Sequence, residues 1–463
     1  MNIYGKKIFL DTENTVTIYQ KLSKIYQDIS ILESVIGGDN KGRYSIIFFN
    51  IYENIKVFID KAIINKKKIN IKSPDRFIRQ IYAQQKLSIR YNEKIPLPIL
   101  VGSLTFDLCK FTLPKLKYNI EKNEINIPLA HFVKPKNLII IDNILNETHL
   151  IEVSKSKSVA EKSIYKIQKL LLLGNFAKQK SNHKNLAGKF KSHTPKLEYI
   201  NKVNQIKKEI VKGEIFQAVL SQRFSAPYKI HPFQFYRSLR SINPSPYLVF
   251  FNLDDYQIIC SSPETMINIK NRKITLRPIA GTRKRGKNNQ EDERLKEDLL
   301  SDQKELAEHL MLVDLGRNDV GQIAKTNSVK VTEKNIIEYY SHVMHIVSNV
   351  IGELKPNLSP IDGLYAGLPA GTVSGAPKIR ALEILEELES INREFYSGAV
   401  CYLDANGDMD SCINLRTVLI KNKTIYAQSG AGIVYDSNPE KEHLECINKA
   451  NALFAAYKLA HKI

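Results

Sequence analysis

Two stretches of this 463-residue chain each carry a pair of glutamates three residues apart. One is Lys304-Glu305-Leu306-Ala307-Glu308-His309. The other is Glu442-His443-Leu444-Glu445, with Lys449 one turn further on. Residues at i, i+3 and i+4 share a helix face, so each stretch presents two carboxylates together. Two such faces opposed make a hard-cation site of the kind Mg2+ occupies, with one or two carboxylates, waters and substrate oxygens. Taken singly, each pair equally suits a solvated helix face. Glu308 leads into the apolar run His309-Leu-Met-Leu-Val-Asp-Leu-Gly-Arg-Asn-Asp319, where Gly316 is placed to end a helix. Glu442 follows Gly430-Ala-Gly432-Ile-Val-Tyr-Asp-Ser437, which reads as a glycine turn whose backbone N–H groups face an anion. Pro439 then starts a helix, with Asp436 or Ser437 as its cap.

Three further motifs stand out: Pro278-Ile-Ala-Gly-Thr-Arg283, Pro369-Ala-Gly-Thr-Val-Ser-Gly-Ala-Pro-Lys378 and Met409-Asp-Ser-Cys-Ile-Asn-Leu-Arg416-Thr417. The first two also fit plain turns. In the third, Asp410, Cys412, Asn414 and Arg416 alternate onto one strand face, which is also the pattern of a solvent side. His345 lies in an apolar, strand-like run; it suits either a general base near neutral pH or a satisfied structural side chain. The five cysteines (109, 260, 401, 412 and 446) are scattered and odd in number, which argues for reduced thiols in a cytosol and against a disulfide framework or zinc site. Walker A and H-E-x-x-H are absent, and no G-x-G-x-x-G opens a helix after a strand.

The elements that must hold these residues follow from periodicity. Strands are expected at Arg43–Phe49, Asn137–Ile144, Thr148–Val153, Tyr247–Asn252, Gln257–Ser261, Lys273–Arg277, Gly398–Leu403, Asp410–Ile420 and Thr424–Gln428. Helices are expected at Lys155–Leu173, Leu197–Lys212, Glu293–Leu312, Pro377–Glu389 and Pro439–Lys458. The last three strands are joined by short polar breaks, which predicts an antiparallel meander. Residues 179–195 are polar and basic and read as a linker or long loop between parts 1–178 and 196–463. Of the 21 glycines, 14 lie after residue 195, marking the second part as the one that bears the site.

Composition bounds the class. With 43% hydrophobic and 25% charged residues the chain is globular, neither disordered nor fibrous. No run approaches the ~18 apolar residues of a membrane span, and no signal peptide is visible. Lys+Arg outnumber Asp+Glu by 68 to 48, but the excess sits in residues 1–195 (33 against 16) rather than in 196–463 (35 against 32). It is mostly Lys among Ile and Asn, without interleaved Arg and aromatic residues. Nucleic acid is therefore not the expected partner, and a basic nucleic-acid-binding protein remains only the non-enzyme alternative.

From about residue 200 to 460 the chain resembles the chorismate-utilising enzymes. The N-terminal part resembles one branch, the large (component I) subunit of anthranilate synthase. The matching runs are Ile31-Leu-Glu-Ser34 with Gly42-Arg-Tyr-Ser45, Gly213-Glu-Ile-Phe-Gln217-Ala-Val-Leu-Ser-Gln-Arg-Phe224, Asn243-Pro-Ser-Pro-Tyr247 and the motifs above. The resemblance implies an α/β (α+β type) fold, a large sandwich of antiparallel sheets with helices outside. It implies a Mg2+-dependent cytoplasmic lyase that makes anthranilate and pyruvate from chorismate and ammonia. Glu308 and Glu445 would hold Mg2+, with Glu305 and Glu442 in support. Arg416 and Tyr396 would hold the enolpyruvyl carboxylate, helped by Gly430, Ala431 and Gly432. Gly281, Thr282, Thr372 and Lys449 would line the substrate. Glu264 would protonate the departing C4 hydroxyl, and His345 would assist loss of the C2 proton and pyruvate.

Two positions bear on the branch. Related isochorismate and salicylate synthases carry a water-activating Lys where this chain has Gln217, and one type of aminodeoxychorismate synthase carries a nucleophilic Lys where it has Ala280. Neither residue here can do that chemistry. Aminodeoxychorismate synthase component I is the alternative activity. Leu368, Ser429 and Gln322 depart from the family's usual Phe, Ala and Arg without removing a reacting group. No cysteine has the Gly-flanked setting of a glutamine amidotransferase, so the resemblance implies a partner amidotransferase subunit, anthranilate synthase component II. It also implies feedback by tryptophan held near Ser34, Pro246, Tyr247 and Leu248.

Overall fold

The computed structural model describes residues 1–34, 42–85, 87–113, 115–175, 187–340 and 343–462. Two antiparallel sheets face each other. In the first, the strands run in the order Asn2–Ile8, Glu147–Ser154, Ala130–Asp142, Tyr44–Val57, Ser30–Glu33, Tyr247–Leu253, Tyr256–Ser262, Thr417–Lys421, Thr424–Ile433 and Gln217–Pro227. The second branches from the N-terminal end of the long Ala130–Asp142 strand. It continues through Pro98–Leu104, Ala399–Asp404, Met409–Ile413, Asn268–Lys270, Lys273–Leu276 and Val343–Glu353, the last flanked by Ile279–Lys284 and Lys330–Tyr339.

Alternation along these strands builds the layers. Phe251, Leu253 and Ile258 of the first sheet meet Val101, Val400 and Cys412 of the second in a core between the sheets. Phe250, Ile259 and Val418 point the other way, under helices Thr15–Leu22, Lys157–Leu173, Pro232–Ile242 and Pro439–Ala460. Ile267, Ile269 and Val350 lie under helices Pro74–Ala83, Gln303–Ile323 and Pro360–Gly367. The order is helix, sheet, sheet, helix, the sandwich of antiparallel sheets with helices outside that the sequence resemblance implies. Strands on either side of residues 178 and 196 are hydrogen-bonded to one another: Ser30–Glu33 pairs with Tyr247–Leu253, and Pro98–Leu104 with Ala399–Asp404. Of the expected linker, residues 179–186 lie outside the described residues; Lys191 and Ser192 pair with Ser225 and Phe224. Among the described residues no helix is long and apolar enough to cross a membrane.

Several local expectations are corrected. The helix expected over Glu293–Leu312 is two, Asn289–Ser301 and Gln303–Ile323, because Asp302 leaves helical geometry and caps the second through Lys304 N and Glu305 N. Gly316 does not end that helix. It lies in its interior, where an added Cβ would come within 3.0 Å of Leu276 Cδ2, so the glycine lets the helix sit close on the sheet. Gly430 to Gly432 are not a turn but the end of strand Thr424–Ile433. The cap before Pro439 is Asn438, which accepts from Glu440 N and Lys441 N, rather than Asp436 or Ser437. Asp410–Ile420 is not one strand. It breaks after Ile413 and resumes at Thr417 in the other sheet, with Arg416 in the left-handed region at φ 47°. The expected meander is therefore two hairpins in different sheets, and Arg416 does not share a strand face with Asp410 and Cys412.

Candidate active site

Two chain segments cross between the sheets and run alongside each other. One leaves Ser262 and enters Asn268–Lys270; the other leaves Ile413 and enters Thr417–Lys421. Ile413 N donates to Glu264 O (3.1 Å), Ser261 N donates to Arg416 O (3.1 Å), and Thr265 bridges Cys412. This pairing puts Glu264 on one crossover and Arg416 on the other.

Glu264 is 9% exposed, and burial raises its carboxyl to about 7; the Thr372 hydroxyl, donating to Oε1 at 2.8 Å, and the positive charge of Lys449 act against that rise. Thr372 is carried on the short 3-10 turn Gly371–Val373. Burial lowers the affinity of Arg416 for its proton. Its guanidinium has no carboxylate within ion-pairing distance among the described residues; its polar contact is Asn243 Oδ1 at 3.3 Å. A half-buried cation without a counter-charge loses hydration that nothing replaces, so the position suits an incoming anion.

His345 lies on strand Val343–Glu353 with its Nδ1 2.8 Å from Gly281 O and 3.1 Å from Thr282 Oγ1. A carbonyl only accepts, so Nδ1 carries the proton and Nε2 keeps its lone pair. Burial lowers the His345 pKa, the Gly281 contact opposes this, and the charge of Arg416 lowers it further. Acid and base are thus driven apart, Glu264 toward holding a proton and His345 toward the free base. Gly281 is at φ 64°, a conformation open to glycine, which turns its carbonyl to the histidine.

The glycine strand lies against this centre. A Cβ on Gly430 would stand 2.9 Å from Leu220 O and 3.1 Å from Tyr396 Oη, and one on Gly432 2.6 Å from Gln217 Nε2. Absent side chains thus admit Tyr396 and Gln217. Ala431 between them is buried on the opposite face, against the layer of Tyr199 and Cys446. Gln217 Nε2 in turn donates to Glu308 Oε1 at 3.3 Å, tying the edge strand to helix Gln303–Ile323. Lys449 bonds Gly430 O (3.2 Å) and pairs with Glu445 (2.8 Å).

Of the four glutamates, Glu305 has a raised pKa through burial and then the charge of Glu308, and Glu442 through burial, opposed by Ser437, with Glu445 adding to the rise. Lys304, beside the first pair, acts electrostatically on Glu442 of the second, so the two helix starts lie near each other. Among the described residues no three His, Cys, Asp or Glu side chains converge to hold a metal ion unaided. Two carboxylates that repel one another within each pair suit a divalent cation such as Mg2+, which takes its remaining ligands from water and substrate oxygens.

The inhibitor segments expected from sequence are neighbours. Leu248 pairs with Glu33, so Ser34 follows directly beyond that register, and the buried Ser34 Oγ has no hydrogen-bond partner among the described residues. Pro246 and Leu248 are buried, and the Tyr247 hydroxyl meets Thr265 Oγ1 (2.8 Å) and Asp410 Oδ1 (3.0 Å). The sequence reading missed three residues. Asn243 touches Arg416. Tyr340 lies 5.4 Å ring to ring from His345 and interacts electrostatically with Arg416 and Glu264. Arg393, 1% exposed, donates to Val373 O (2.7 Å), Val219 O (2.6 Å) and Glu389, joining three segments of the site. Asn243 stands in a motif already marked, and Tyr340 just upstream of the strand-like run of His345; Arg393, an isolated arginine in a polar stretch, gives no signal by spacing.

A family model described as chorismate binding enzyme matches residues 34–455. Anthranilate synthase component 1 of Cereibacter sphaeroides is 39% identical to this chain, covering 96% of it and 92% of that protein. The protein of the same description from Aquifex aeolicus is also 39% identical, covering 98% and 94%. The crystal structure of anthranilate synthase component I from Streptococcus pneumoniae superposes with a TM-score of 0.80 at 36% identity, covering 96% of this chain and 98% of that one.

Proposed function

The chain belongs to the chorismate binding enzymes, and we propose that within them it makes anthranilate and pyruvate from chorismate and ammonia. One observation carries this reading: a buried Glu264 raised to about 7 on one crossover, beside a half-buried Arg416 without a carboxylate partner among the described residues on the other. A substrate carboxylate at Arg416, with the Tyr396 hydroxyl beside Gly430, orients the ring. Gly281, Thr282, Thr372 and Lys449 line it.

Hydroxide is a poor leaving group. Glu264 gives its proton to the C4 oxygen as that C–O bond breaks, and water departs. Ammonia adds at C2. In the second step the free Nε2 of His345 accepts the C2 proton, the C3–O bond breaks with release of the enolpyruvyl group as pyruvate, and the ring becomes aromatic. Glu308 and Glu445, with Glu305 and Glu442 behind them, would hold Mg2+, which when bound supplies a positive charge for the ring carboxylate. Gln217 and Ala280 offer neither a water-activating base nor a nucleophile, which favours amination at C2 over hydration or the covalent route.

The component number of the relatives supports a second subunit that delivers ammonia from glutamine. All five cysteines are buried, without the exposed, activated setting of a glutaminase nucleophile. Free buried thiols also suit a reducing, cytoplasmic setting. We read residues 196–463 as the catalytic part and residues 1–178 as the part that contributes Ser34 to a tryptophan site. Asn243 and Tyr247 connect that site to Arg416 and to Thr265, the neighbour of Glu264.

The deciding assay mixes the chain with chorismate, Mg2+ and ammonium and identifies the product by mass. Anthranilate is expected; isochorismate, aminodeoxychorismate or no turnover would overturn the reading. Mg2+ titration of Glu308→Gln tests the metal: turnover at normal Mg2+ dependence would remove Glu308 from it.

A further inference from the structure

Glu394 is buried to 2% exposure, yet its backbone is left-handed, at φ 52°. Such a conformation in a non-glycine residue persists only where the surroundings over-determine it. Its carboxylate accepts from Ile125 N (3.0 Å), Glu124 N (3.3 Å), Asn126 N (2.8 Å) and Arg223 Nη1 (3.0 Å). Its own N–H donates to Asp107 Oδ2 (2.7 Å), and its carbonyl accepts from Phe106 N (2.9 Å). Every polar group of Glu394 is thus tied to residues 106–126 or to Arg223. Arg223, wholly buried, also donates to the carbonyls of Asn392 (2.8 Å) and Arg393 (3.1 Å).

Two residues further on is Tyr396. Its N–H donates to Arg393 O (3.1 Å), and the next residue, Ser397, is again left-handed at φ 60° and bonded to Asn414 O (3.1 Å). Asn414 stands two residues before Arg416. Tyr396 is therefore held between two left-handed residues, one anchored to the N-terminal part and one to the Arg416 crossover. We propose that Glu394 is a positioning residue, which fixes the Tyr396 hydroxyl beside Gly430 for the substrate. This rests on the reading above, in which Tyr396 binds a substrate carboxylate. Through residues 106–126, which hold Glu394, the N-terminal part thereby contributes to substrate binding, besides supplying Ser34 to the tryptophan site read above.

Three single variants of the full chain and one double variant test this. Glu394→Gly keeps the left-handed backbone and removes the carboxylate; Glu394→Gln keeps the shape and removes the charge. Loss of an interaction made equally in ground and transition states raises KM and spares kcat. Accordingly Glu394→Gly should raise the chorismate KM roughly tenfold with kcat within about twofold, and Glu394→Gln should shift it less in the same direction. If Glu394→Gly does not fold, Glu394→Gln decides. In a Tyr396→Phe background the Glu394→Gln change should add nothing further, since it acts through the same hydroxyl. Unchanged KM in a folded variant, or fully additive effects in the double variant, would overturn the proposal. Amide exchange over residues 395–398 is read in the same samples and should quicken in the variants. If the wild-type chain failed to turn over chorismate, the functional reading would fall, and unaltered exchange there would then overturn the clamp separately.

Discussion

At the scale of single residues the site works by opposed environments. Glu264 is buried and His345 half-buried, and burial favours the neutral form of each, which suits the carboxyl to the proposed role of acid and the imidazole to that of base. With Glu264 raised to about 7, its acid form is lost as pH rises through that value. The expected outcome is a kcat/KM for chorismate that declines above pH ~7, about tenfold per unit once Glu264 is mostly ionised, with free ammonia held constant across the series. Glu264→Gln should abolish that limb and lower kcat by roughly 100- to 10,000-fold. A rate independent of pH between 7 and 9 would remove Glu264 from the acid role. None of this environment is readable from Ser261-Ser-Pro-Glu264. That run resembles the family's, but the apolar surroundings that raise the carboxyl come from distant segments.

At the scale of elements, glycines do different work from that expected. Gly430 and Gly432 are strand residues whose missing Cβ atoms admit neighbours, and the neighbours differ in how far they can yield. At Gly430 an added methyl meets the Leu220 carbonyl of the paired strand and the Tyr396 hydroxyl; at Gly432 it meets the end of a glutamine side chain. Gly430→Ala should therefore impair chorismate binding much more than Gly432→Ala, a ranking that KM values for the two variants check directly. The interior of helix Gln303–Ile323 carries the same lesson, since Gly316 lies there for close approach and not for termination. Most of the strands and helices that periodicity marked lie within a few residues of observed ones, but it left others unmarked, among them strand Pro98–Leu104 and helix Pro232–Ile242. It failed at Asp302 and at Asn414-Leu415-Arg416, where a cap and a left-handed residue interrupt an otherwise continuous pattern. The pattern records which face is apolar, not which sheet the face belongs to.

At the scale of the whole molecule the two sheets share one core, and the N-terminal strands are bonded into both. Phe251, fully buried between the sheets with its ring 5.8 Å from that of Phe48, is a test of that core. Phe251→Ala should destabilise the chain by about 3–5 kcal/mol through lost transfer energy and the cavity left behind, measured by denaturant unfolding. The same interlocking would let tryptophan at the proposed site act on the whole molecule, because Ser34 directly follows strand Ser30–Glu33, which is hydrogen-bonded to the strand of Leu248, distant in the sequence. A ligand inhibits only by favouring one arrangement over another. Ser34→Arg fills the site with a long cation and should relieve tryptophan inhibition while ammonia-dependent turnover stays near wild type; titration of both enzymes with tryptophan at fixed chorismate measures it, and unchanged inhibition would exclude the site.

By itself the sequence determined the absence of a long apolar span, the paired glutamates and the motifs whose resemblance to the chorismate-utilising enzymes implied the layered antiparallel class, because spans, pairs and motifs depend on local spacing and residue type. Tertiary structure alone decided that Glu264 and Arg416 share a seam, that Arg393 and Glu394 hold the segment of Tyr396, and that residues 30–33 belong beside 247–253. Those are contacts between segments more than a hundred residues apart, or shifts in proton affinity caused by burial. Local spacing does not encode them; they arise when strands from the whole length of the chain are brought together around a common core.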